Sequence, residues 1–561
     1  MQKKWKFSEF DENKVIEIAE KFNISKLLAT VLVNRNIVDD DEINIFLNPT
    51  RNDFHDPYLM PDMDVAVNRI IKAIENQEKV IIYGDYDVDG ITSITVLKKF
   101  LKKCGLDVGY YIPNRLNEGY GLNINAIDKI KKEGYNLIIT VDCGISAIEE
   151  IKYANSLGLD TIVTDHHEPL DILPPAIGVV DLKRKDSHKY PFDSLAGCGV
   201  AFKLCQALGM KLGIEENEYL KYLDIVCVGT ISDIVPLIDE NRVIAKLGLK
   251  LVEVTKNPGL RALLNAAGYK QINSNTISFG VAPRINACGR MGFEEDALKL
   301  FLTDNIVEAS NITEKLNHYN RERQEIEKNI FDEAIKMIEK EGNNKSIVLG
   351  SENWHHGVIG IVSSKITEMY FKPSILIGFD GKEGKGSGRS IPGFDLHEAL
   401  VNLSDYLEKF GGHEMAVGLS LNKSKFKDFK EALEKYVQEK DIDKLNPIIE
   451  IDKEIDFRDI RCDIIEELNL LEPFGEGNRR PIFVYRNLKI DSIRALSDGK
   501  HLKLTLKDGS TLINAIGFNL GHLSREYMLG DKVDIVGTLE INSFNGKNSV
   551  QININDIMKS L

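Results

Sequence analysis

Three carboxylates lie in residues 83–93, whose sequence is Tyr-Gly-Asp-Tyr-Asp-Val-Asp-Gly-Ile-Thr-Ser. Asp85, Asp87 and Asp89 follow directly after an apolar run, residues 80–82. On an extended turn, alternate side chains project to one side, so these carboxylates are able to converge on one cation or bridge a pair. A bound metal would relieve their mutual repulsion. Taken alone, the segment is equally compatible with a calcium loop or a solvated turn.

Further ligand types follow other apolar runs. Asp142, the triplet Asp165-His166-His167 and Asp233 each come directly after such a run. Carboxylate oxygens combined with imidazole are typical of the divalent-metal centres of hydrolytic enzymes. The sequence therefore predicts a metal centre assembled from several distant segments.

The secondary structure expected around these residues alternates between strands and helices. Strands are predicted at 79–85, 107–112, 135–142 and 160–165, and amphipathic helices at 93–104, 123–132 and 146–157. This alternation is typical of an α/β fold with a mostly parallel, doubly wound sheet, where ligands bind beyond the carboxyl ends of strands. Asp87, Asp89, Asp142 and His166 fall at such ends, which favours the metal-centre interpretation.

The composition indicates a soluble globular protein of roughly three or four domains. Of 561 residues, 43% are hydrophobic and 28% are charged. No run approaches the roughly 18 apolar residues of a membrane span, so we expect a cytoplasmic protein without membrane association. The seven cysteines form no C-x-x-C pair and are expected to be reduced thiols. The net charge of −15 argues against a surface that coats nucleic acid throughout.

A local basic track nevertheless lies in residues 479–507. It contains eight Lys and Arg residues and two Asp residues, a surplus of six positive charges. About five short strands surround it, with turns predicted at Asp508-Gly509 and Asn545-Gly546, as in a small antiparallel barrel. An oligonucleotide-binding (OB) fold holds single strands on such a barrel, although an ordinary barrel with a solvated basic face has the same pattern.

The rest of the chain divides into further regions. We expect a helical N-terminal segment at 1–60, a catalytic domain at 61–304 and the barrel at 450–561. Residues 305–341 contain no proline or glycine, which predicts a long connecting helix at 305–342. A second α/β domain at 343–430 contains Gly-Ser-Gly-Arg-Ser and Gly-Gly-His segments. Glycine at such positions allows backbone N–H groups to approach a phosphate.

These motifs together resemble the DHH phosphoesterase superfamily. The resemblance is carried by the Asp-His-His triplet at 165–167, by Asp87, Asp89, Asp142 and Asp233, and by the Gly-Gly-His segment, which is similar to the DHH-associated domain. Segments at 83–93, 229–237, 283–291 and 472–478 resemble the single-strand-specific 5′→3′ DNA exonucleases of this superfamily. The likeness covers essentially the whole chain. It implies two α/β lobes (DHH and DHH-associated) joined by a long helix, and a C-terminal OB-like β-barrel.

The resemblance also implies a metal centre with defined ligands. The ligands would be Asp87, Asp89, Asp142, His166 and Asp233, with Asp142 bridging two ions of Mn²⁺ or Mg²⁺. Imidazole among the ligands favours Mn²⁺. The catalytic residues would be Asp142, His166 and His167, the last facing the scissile phosphate. Many members place a histidine ligand where this chain has Tyr83, so one site is expected to be weaker or to recruit Asp85.

The implied reaction is metal-dependent hydrolysis of single-stranded DNA from its 5′ end, releasing mononucleotides during DNA repair and recombination. The implied substrate-binding residues are Arg115, Tyr120, Arg290, Ser387, Arg389 and His413. A guanidinium suits a terminal 5′-phosphate because it donates two parallel hydrogen bonds. Family behaviour suggests a single-stranded-DNA-binding protein and a helicase as partners.

Two other functions are compatible with parts of the sequence. A small-substrate phosphoesterase acting on pyrophosphate, cyclic dinucleotides or very short RNA generally needs only the two lobes, so the N-terminal segment and the barrel argue against it. A non-catalytic replication scaffold would have lost the ligands, which this chain retains. The exonuclease is therefore the favoured function.

Overall fold

The fold is that of a computed structural model, which describes residues 3–115, 118–342, 344–440, 442–544 and 547–560. The chain forms two compact units, each assembled from separated segments. The first, which we call the α/β unit, contains Phe54–Val235 and Ile244–Leu445. The second, which we call the barrel unit, contains Met1–Asp53, Pro236–Val243 and Asn446–Leu561.

The strands of the described residues are β1 (Lys4–Phe7), β2 (Val80–Gly84), β3 (Gly109–Tyr111), β4 (Leu137–Val141), β5 (Asp160–Thr164), β6 (Gly178–Val180), β7 (Ile347–Ser351), β8 (Ser374–Asp380), β9 (Glu383–Arg389), β10 (Lys409–His413), β11 (Ala416–Asn422), β12 (Ile448–Ile451), β13 (Lys453–Glu454), β14 (Phe483–Leu496), β15 (His501–Asp508), β16 (Thr511–Gly517), β17 (Lys532–Phe544) and β18 (Lys547–Lys559).

The α-helices are α1 (Glu12–Phe22), α2 (Lys26–Asn34), α3 (Asp40–Leu47), α4 (Met63–Glu75), α5 (Val88–Lys103), α6 (Ile124–Lys132), α7 (Ile148–Ser156), α8 (Gly197–Leu212), α9 (Asn217–Leu220), α10 (Leu223–Ser232), α11 (Asp239–Glu253), α12 (Pro258–Ala267), α13 (Ala282–Met291), α14 (Glu294–Leu302), α15 (Ile306–Glu341), α16 (Ile359–Tyr370), α17 (Leu396–Asn402), α18 (Phe426–Glu439) and α19 (Cys462–Leu468). Within the described part of the chain, no helix combines the length and apolar character needed to cross a membrane.

The first lobe of the α/β unit is built on a five-stranded parallel sheet in the order β3-β2-β4-β5-β6. Helices α5, α6 and α7 alternate with its strands along the chain. The predicted parallel α/β sheet is therefore confirmed. Strands β2, β4 and β5 are almost entirely buried, as expected for a parallel sheet covered on both faces.

One local prediction about the ligand segments is wrong, and one ligand segment had no predicted secondary structure. Helix α5 begins at Val88, not near residue 93, so Asp89 lies in its first turn and not on an extended turn. The apolar run before Asp233, for which the sequence predicted neither helix nor strand, is the helix α10. Both helices are buried almost all round at these positions, and a helix without a polar face lacks the periodicity by which helices are recognised in a sequence.

The second lobe of the α/β unit contains a sheet in the order β10-β11-β9-β8-β7. Strands β7 and β8 are parallel, and the other pairs are antiparallel. Helix α15 is continuous over Ile306–Glu341, and its C-terminal half packs Ile330 and Ala334 against this lobe.

The barrel unit contains the predicted OB-like barrel, which is confirmed as strands β14 to β18 closed by the pairing of β14 with β17. Asp508-Gly509 lies in the turn between β15 and β16, as predicted, whereas Asn545-Gly546 lies outside the described residues. The N-terminal helices share the barrel's core: Val15, Leu28 and Ile43 belong to one apolar cluster with Phe483. The N-terminal segment and the barrel, which the sequence separates, thus fold together.

Candidate metal centre and phosphate site

The predicted ligands meet where the strand order of the first sheet reverses. Strands β2 and β4 are neighbours although β3 lies between them in the chain, so the loops that follow them leave a crevice at their carboxyl ends. Asp85 and Asp87 follow β2, Asp142 follows β4 and His166 follows β5. Asp233, directly after α10, completes the set.

The ligand atoms form three overlapping triads in which all atoms lie within 4.8 Å of one another. The triads are Asp85–Asp87–Asp142, Asp89–His166–Asp233 and Asp142–His166–His167. Nε2 of His166 lies 3.1 Å from Asp142 and 3.7 Å from both Asp89 and Asp233. Asp142 belongs to a carboxylate triad and to an imidazole-containing one, as a ligand shared by two cations would.

Carboxylate crowding makes this centre suited to cations. Burial, followed by the charges of Asp89 and Asp87, raises the pKa of Asp142 well above its ordinary range and that of Asp233 to about 9. Oδ1 of Asp85 is buried and has no hydrogen-bond partner among the described residues. Oxygen ligands with imidazole suit Mn²⁺ and Mg²⁺, and either ion would neutralise the crowded charges. The residues therefore fit the implied metals.

The start of helix α8 fixes Asp89, which sequence reasoning did not foresee. The N–H groups of Gly197 and Cys198 donate to Asp89 at 2.6 and 2.8 Å. A Cβ on Gly197 would lie 2.7 Å from Cβ of Asp142, so only glycine fits between the two carboxylates. The Gly-Cys-Gly segment at 197–199 was the available signal, because glycine at a helix start permits close backbone approach.

Tyr83 has a structural role in the first lobe. It is fully buried, its hydroxyl donates to the carbonyl of Gly121 at 2.9 Å, and its ring stacks on Tyr111 at 5.1 Å. Burial raises the pKa of Tyr83 far above its usual range, which keeps the phenol neutral. Asp85 instead joins Asp87 and Asp142 in a triad, the alternative expected for a chain without histidine at this position.

Asp165, first residue of the Asp-His-His triplet, orients its neighbours. It accepts hydrogen bonds from the N–H groups of Ile145 and His166 and from Nδ1 of His167 at 2.7 Å. The hydroxyl of Tyr120 lies 3.2 Å from the Asp142 carbonyl and 3.3 Å from Nδ1 of His167. Tyr120 is half exposed, so its ring is accessible at the edge of the centre.

Next to the metal centre lies a cluster of arginines. Arg115 lies over the ring of Tyr86, which separates Asp85 from Asp87, with its guanidinium carbon 5.0 Å from the ring centroid. Burial and the proximity of Arg115, Arg323 and Arg389 lower the pKa of Arg290 to about 10. Mutually repelling guanidinium groups form a site for an anion. Arg323 belongs to α15 and was not predicted to lie in this cluster. The sequence of a helix rich in charged residues does not indicate which of its arginines face a binding site.

Ser387 and Arg389 lie together on β9 beside a helix start. Nη1 of Arg389 donates to Oγ of Ser387 at 3.1 Å. A Cβ on Gly360, in the first turn of α16, would lie 2.9 Å from that Oγ and 3.4 Å from Nη2 of Arg389. A helix N-terminus, a hydroxyl and a guanidinium are together well suited to a phosphate.

His413 is exposed at the end of β10. In the sheet register it is paired with Ala416, which on its other side is paired with Arg389. His413 and Arg389 therefore share one face of the sheet, about 10 Å apart by strand spacing.

Comparisons with known proteins agree with this architecture. Three family descriptions match successive parts of the chain: DHH family, N-terminal domain, at 79–230; DHHA1 domain at 343–439; and RecJ OB domain at 451–556. The single-stranded-DNA-specific exonuclease RecJ of Bacillus subtilis is 39% identical and covers 99% of this chain and 70% of its own length. Its counterpart in Haemophilus influenzae is 33% identical, covering 96% of this chain and 97% of its own length.

Solved structures agree as well. RecJ of Thermus thermophilus in complex with Mn²⁺ matches with a TM-score of 0.87 and 30% identity, covering 100% of this chain and 80% of that one. An exonuclease RecJ bound to manganese matches with a TM-score of 0.61 and 35% identity, covering 68% and 95% of the two chains. Fold and site thus define a DHH-type phosphoesterase. Within that class, the chain belongs to the RecJ family.

Proposed function

We propose that this protein is a metal-dependent exonuclease that degrades single-stranded DNA from the 5′ end in DNA repair and recombination. The observation that carries the proposal is the adjacency of two sites: Arg115 contacts Tyr86, whose neighbours Asp85 and Asp87 belong to the metal centre. Related chains are named single-stranded-DNA-specific exonucleases. In this proposal residues 61–304 carry the metal centre, 343–430 the phosphate site and 450–561 the strand-binding surface.

The metal ions would be held by Asp87, Asp89, Asp142, His166 and Asp233, with Asp85 as an additional ligand. When bound, Mn²⁺ or Mg²⁺ supplies an activated water and neutralises charge on the phosphate. The backbone N–H groups at the start of α8 orient Asp89 toward this task, and their hydrogen bonds oppose the rise in the pKa of Asp89 that its burial causes.

His167 is the group proposed to act on the scissile phosphate. Its Nδ1 is held by Asp165, which leaves Nε2 to bind a phosphate oxygen or to give a proton to the departing 3′ oxygen. The side chain is 43% exposed, so a strand is able to reach it. Tyr120, beside the same imidazole, would stack on a base.

The direction of degradation follows from recognition of a terminal phosphate. Arg389, Ser387, Arg115 and Arg290 would bind it, aided by the N-terminus of α16. A phosphate inside a strand carries a single charge, whereas a terminal phosphate carries close to two and benefits more from the arginine cluster. His413 lies on the same face of the sheet and would contact the next nucleotide.

The exposed face of the barrel supports a role in holding the strand. Lys489 is paired across the sheet with Lys507, and Arg494 with Lys503. Like charges directly opposite each other are unfavourable in a free protein, and a bound polyanion would relieve their repulsion. These four side chains are exposed.

The proposal includes the partners and location expected for such an enzyme. It would act in the cytoplasm together with a single-stranded-DNA-binding protein and a helicase, since an exonuclease restricted to single strands depends on proteins that supply and protect unwound ends. Co-purification of a single-stranded-DNA-binding protein or a helicase with this chain, measured with and without DNA, tests the proposed partners.

The test is hydrolysis of end-labelled DNA with Mn²⁺ or Mg²⁺. We expect mononucleotides from the 5′ end of single strands, little product from blunt duplexes and none from cyclic dinucleotides. Removal of metal by a chelator should stop the reaction and added Mn²⁺ should restore it. Release from the 3′ end, or preference for a cyclic dinucleotide, would contradict the proposal.

A further inference from the structure

A lysine lies beyond the last strand of the first-lobe sheet. The metal ligands on this sheet follow its inner strands β2, β4 and β5, whereas Arg115 follows β3 and Lys183 follows β6, the two edge strands. All five strands are parallel, so both cationic residues follow the ends of the strands at which the metal centre lies. Four strand spacings, about 19 Å, separate the two edges. The metal centre is thus flanked by a cationic residue on each side.

The residues after β6 stay beside the Asp-His-His triplet. Pairing of β5 with β6 ends at Thr164 and Val180, and the N–H of Asp165 then donates to the Val180 carbonyl at 3.1 Å. Nζ of Lys183 lies 3.5 Å from Oε1 of Glu168, the residue that follows the triplet. The lysine therefore reaches the segment that carries the two histidines.

The charges of Lys183 and Arg115 act on different parts of the metal centre. Burial raises the pKa of Asp233, and the charge of Lys183 opposes that rise. Burial also raises the pKa of Asp85, and there the charge of Arg115 opposes it. Asp233 belongs to the triad that contains His166, whereas Asp85 belongs to the triad of carboxylates alone. The electrostatics therefore agree with the sheet order: the two cations lie on different sides of the centre.

The loop that carries Lys183 is anchored on both sides of this residue. Asp181 is fully buried, and its Oδ1 accepts a hydrogen bond from the N–H of Lys183 at 2.8 Å. The guanidinium of Arg184 donates to Asp62 at 2.6 Å and to Asp186 at 2.7 and 2.9 Å. These contacts fix the backbone, so the loop presents the Lys183 side chain from a rigid base.

The ammonium group of Lys183 is available to a ligand. The side chain is 29% exposed, and that of its partner Glu168 is 65% exposed. Ion pairs between exposed side chains contribute little to stability, so a phosphate is able to replace Glu168 at small cost. An ammonium group binds phosphate as a point charge and tolerates the changing orientation of a flexible strand.

We infer that Lys183 binds the backbone phosphate that joins the second and third nucleotides, counted from the 5′ end. The inference rests on the proposed function and deepens it. The terminal phosphate would lie on the β3 side with Arg115, the scissile phosphate at the metal centre and the following phosphate on the β6 side. A dinucleotide lacks this third phosphate and a trinucleotide has it. Lys183 would therefore make three nucleotides the shortest substrate that is bound well.

The experiment compares three 5′-phosphorylated substrates with the 561-residue chain and Mn²⁺. They are a dinucleotide, a trinucleotide and the same trinucleotide with an uncharged methylphosphonate in its second linkage. The wild type should have a kcat/KM for the unmodified trinucleotide roughly tenfold above the other two, as expected for one hydrogen bond to a charged group. Lys183→Met should remove this preference, and Lys183→Arg, which keeps the charge, should retain most of it.

The matched control is Lys185→Met. Lys185 belongs to the same loop, is 85% exposed and is paired with Asp171 at 3.0 Å, so its substitution should leave the preference at the wild-type level. Glu168→Gln should leave the preference as well. If Glu168→Gln removed it as Lys183→Met does, the lysine would act only through its ion pair, and the inference would be overturned.

Mn²⁺ affinity distinguishes contact with DNA from a structural role of Lys183. Electron paramagnetic resonance of free Mn²⁺ should show no weaker binding by Lys183→Met, because the substitution removes a positive charge from beside the cations. Weaker Mn²⁺ binding would make Lys183 part of the support of the metal centre and would overturn the inference. An equal loss of kcat/KM on the dinucleotide and the trinucleotide would overturn it too.

Failure of the proposed function gives a different result. A wild type that cleaves none of these substrates, or cleaves from the 3′ end, contradicts the proposed function. Binding of the same three oligonucleotides, measured with Ca²⁺ in place of Mn²⁺, then decides about Lys183. A higher affinity for the unmodified trinucleotide that is lost in Lys183→Met supports the phosphate contact, and equal affinities of wild type and variant overturn it.

Discussion

Asp165 accepts a hydrogen bond from Nδ1 of His167 at 2.7 Å, and the pair lies at the edge of the metal centre. Burial alone would lower the pKa of His167, but the hydrogen bond and charge of Asp165 outweigh it and raise that pKa. The same contacts lower the pKa of Asp165 in spite of its burial. The carboxylate therefore stays ionised, Nδ1 stays protonated, and Nε2 is the imidazole nitrogen left for chemistry.

His167→Ala should lower kcat by about 10²-fold, the usual loss when a positioned acid or base is removed. Mn²⁺ affinity should change much less, because the five carboxylates and His166 remain. Single-turnover cleavage and Mn²⁺ titration on the same preparation check this. His318→Ala, an exposed histidine on α15, is the control; a loss of metal binding as large as the loss of kcat would make His167 a ligand instead.

Asp142→Ala should lower turnover by at least about 10³-fold, because Asp142 takes part in two of the three ligand triads. Binding of single strands should survive, since the barrel lysines and the arginine cluster are untouched. The measurements are kcat and strand affinity by fluorescence anisotropy. Asp107→Ala, an exposed carboxylate of the same lobe, should have wild-type values in both. Turnover by the wild type in metal-free buffer would contradict the metal-centre assignment.

Tyr83→Phe should destabilise the protein without weakening metal binding. Removing the hydroxyl leaves the part-buried Gly121 carbonyl without its donor, and the loss of such a hydrogen bond costs about 0.5–1.5 kcal/mol. We expect a lower melting temperature and unchanged Mn²⁺ affinity and kcat. If Mn²⁺ affinity fell while the melting temperature held, Tyr83 would have to contribute to the metal site directly.

Much of the centre was predictable because its residues lie at the ends of recognisable strands. Asp87, Asp142 and His166 follow apolar runs of strand length, and parallel strands bring their carboxyl ends together. Asp89 and Asp233 were identified as ligands, but the start of α5 was predicted too late and α10 was not predicted, because helices buried on every side lack an amphipathic pattern.

Features that depend on long-range packing were not predictable. An apolar stripe indicates that one face of a helix is buried, but it does not indicate which element covers that face. The core that α1 to α3 share with the barrel was therefore not predictable from the sequence. The same holds for Arg323, which approaches Arg290 only because α15 packs on α13. The role of Gly197 depends on two carboxylates from distant loops.

The phosphate site is tested by substrates that differ only at the 5′ end. Arg389→Met and Ser387→Ala should raise KM for 5′-phosphorylated strands, by about tenfold or more for the arginine, and remove any preference over 5′-hydroxyl strands. Cleavage of 5′-hydroxyl strands should change little. Lys427→Met, an exposed residue of α18, is the control. If activity fell equally on 5′-phosphorylated and 5′-hydroxyl strands, Ser387 and Arg389 would have a structural role and would not bind the terminal phosphate.

The barrel is best tested by substitution, because truncation before β14 would also expose the core that the N-terminal helices share. Replacing Arg494 and Lys503 with glutamine should weaken binding to long single strands. Each lost phosphate contact should reduce the slope of log affinity against log salt by roughly 0.7. Cleavage of very short oligonucleotides should persist, since the metal and phosphate sites lie in the other unit.

The matched control for the barrel is Arg486→Gln. Arg486 lies on β14 as Arg494 does, but it is paired with Glu454 and Asp534 at 2.9 Å each, so its charge is already compensated. Its substitution should lower the melting temperature modestly, because it leaves Asp534 without its cation, and should leave the salt slope nearly unchanged. If Arg494 and Lys503 could be neutralised without any change in long-strand affinity or salt slope, the basic face would not hold DNA. A protein partner would then be the better candidate for it.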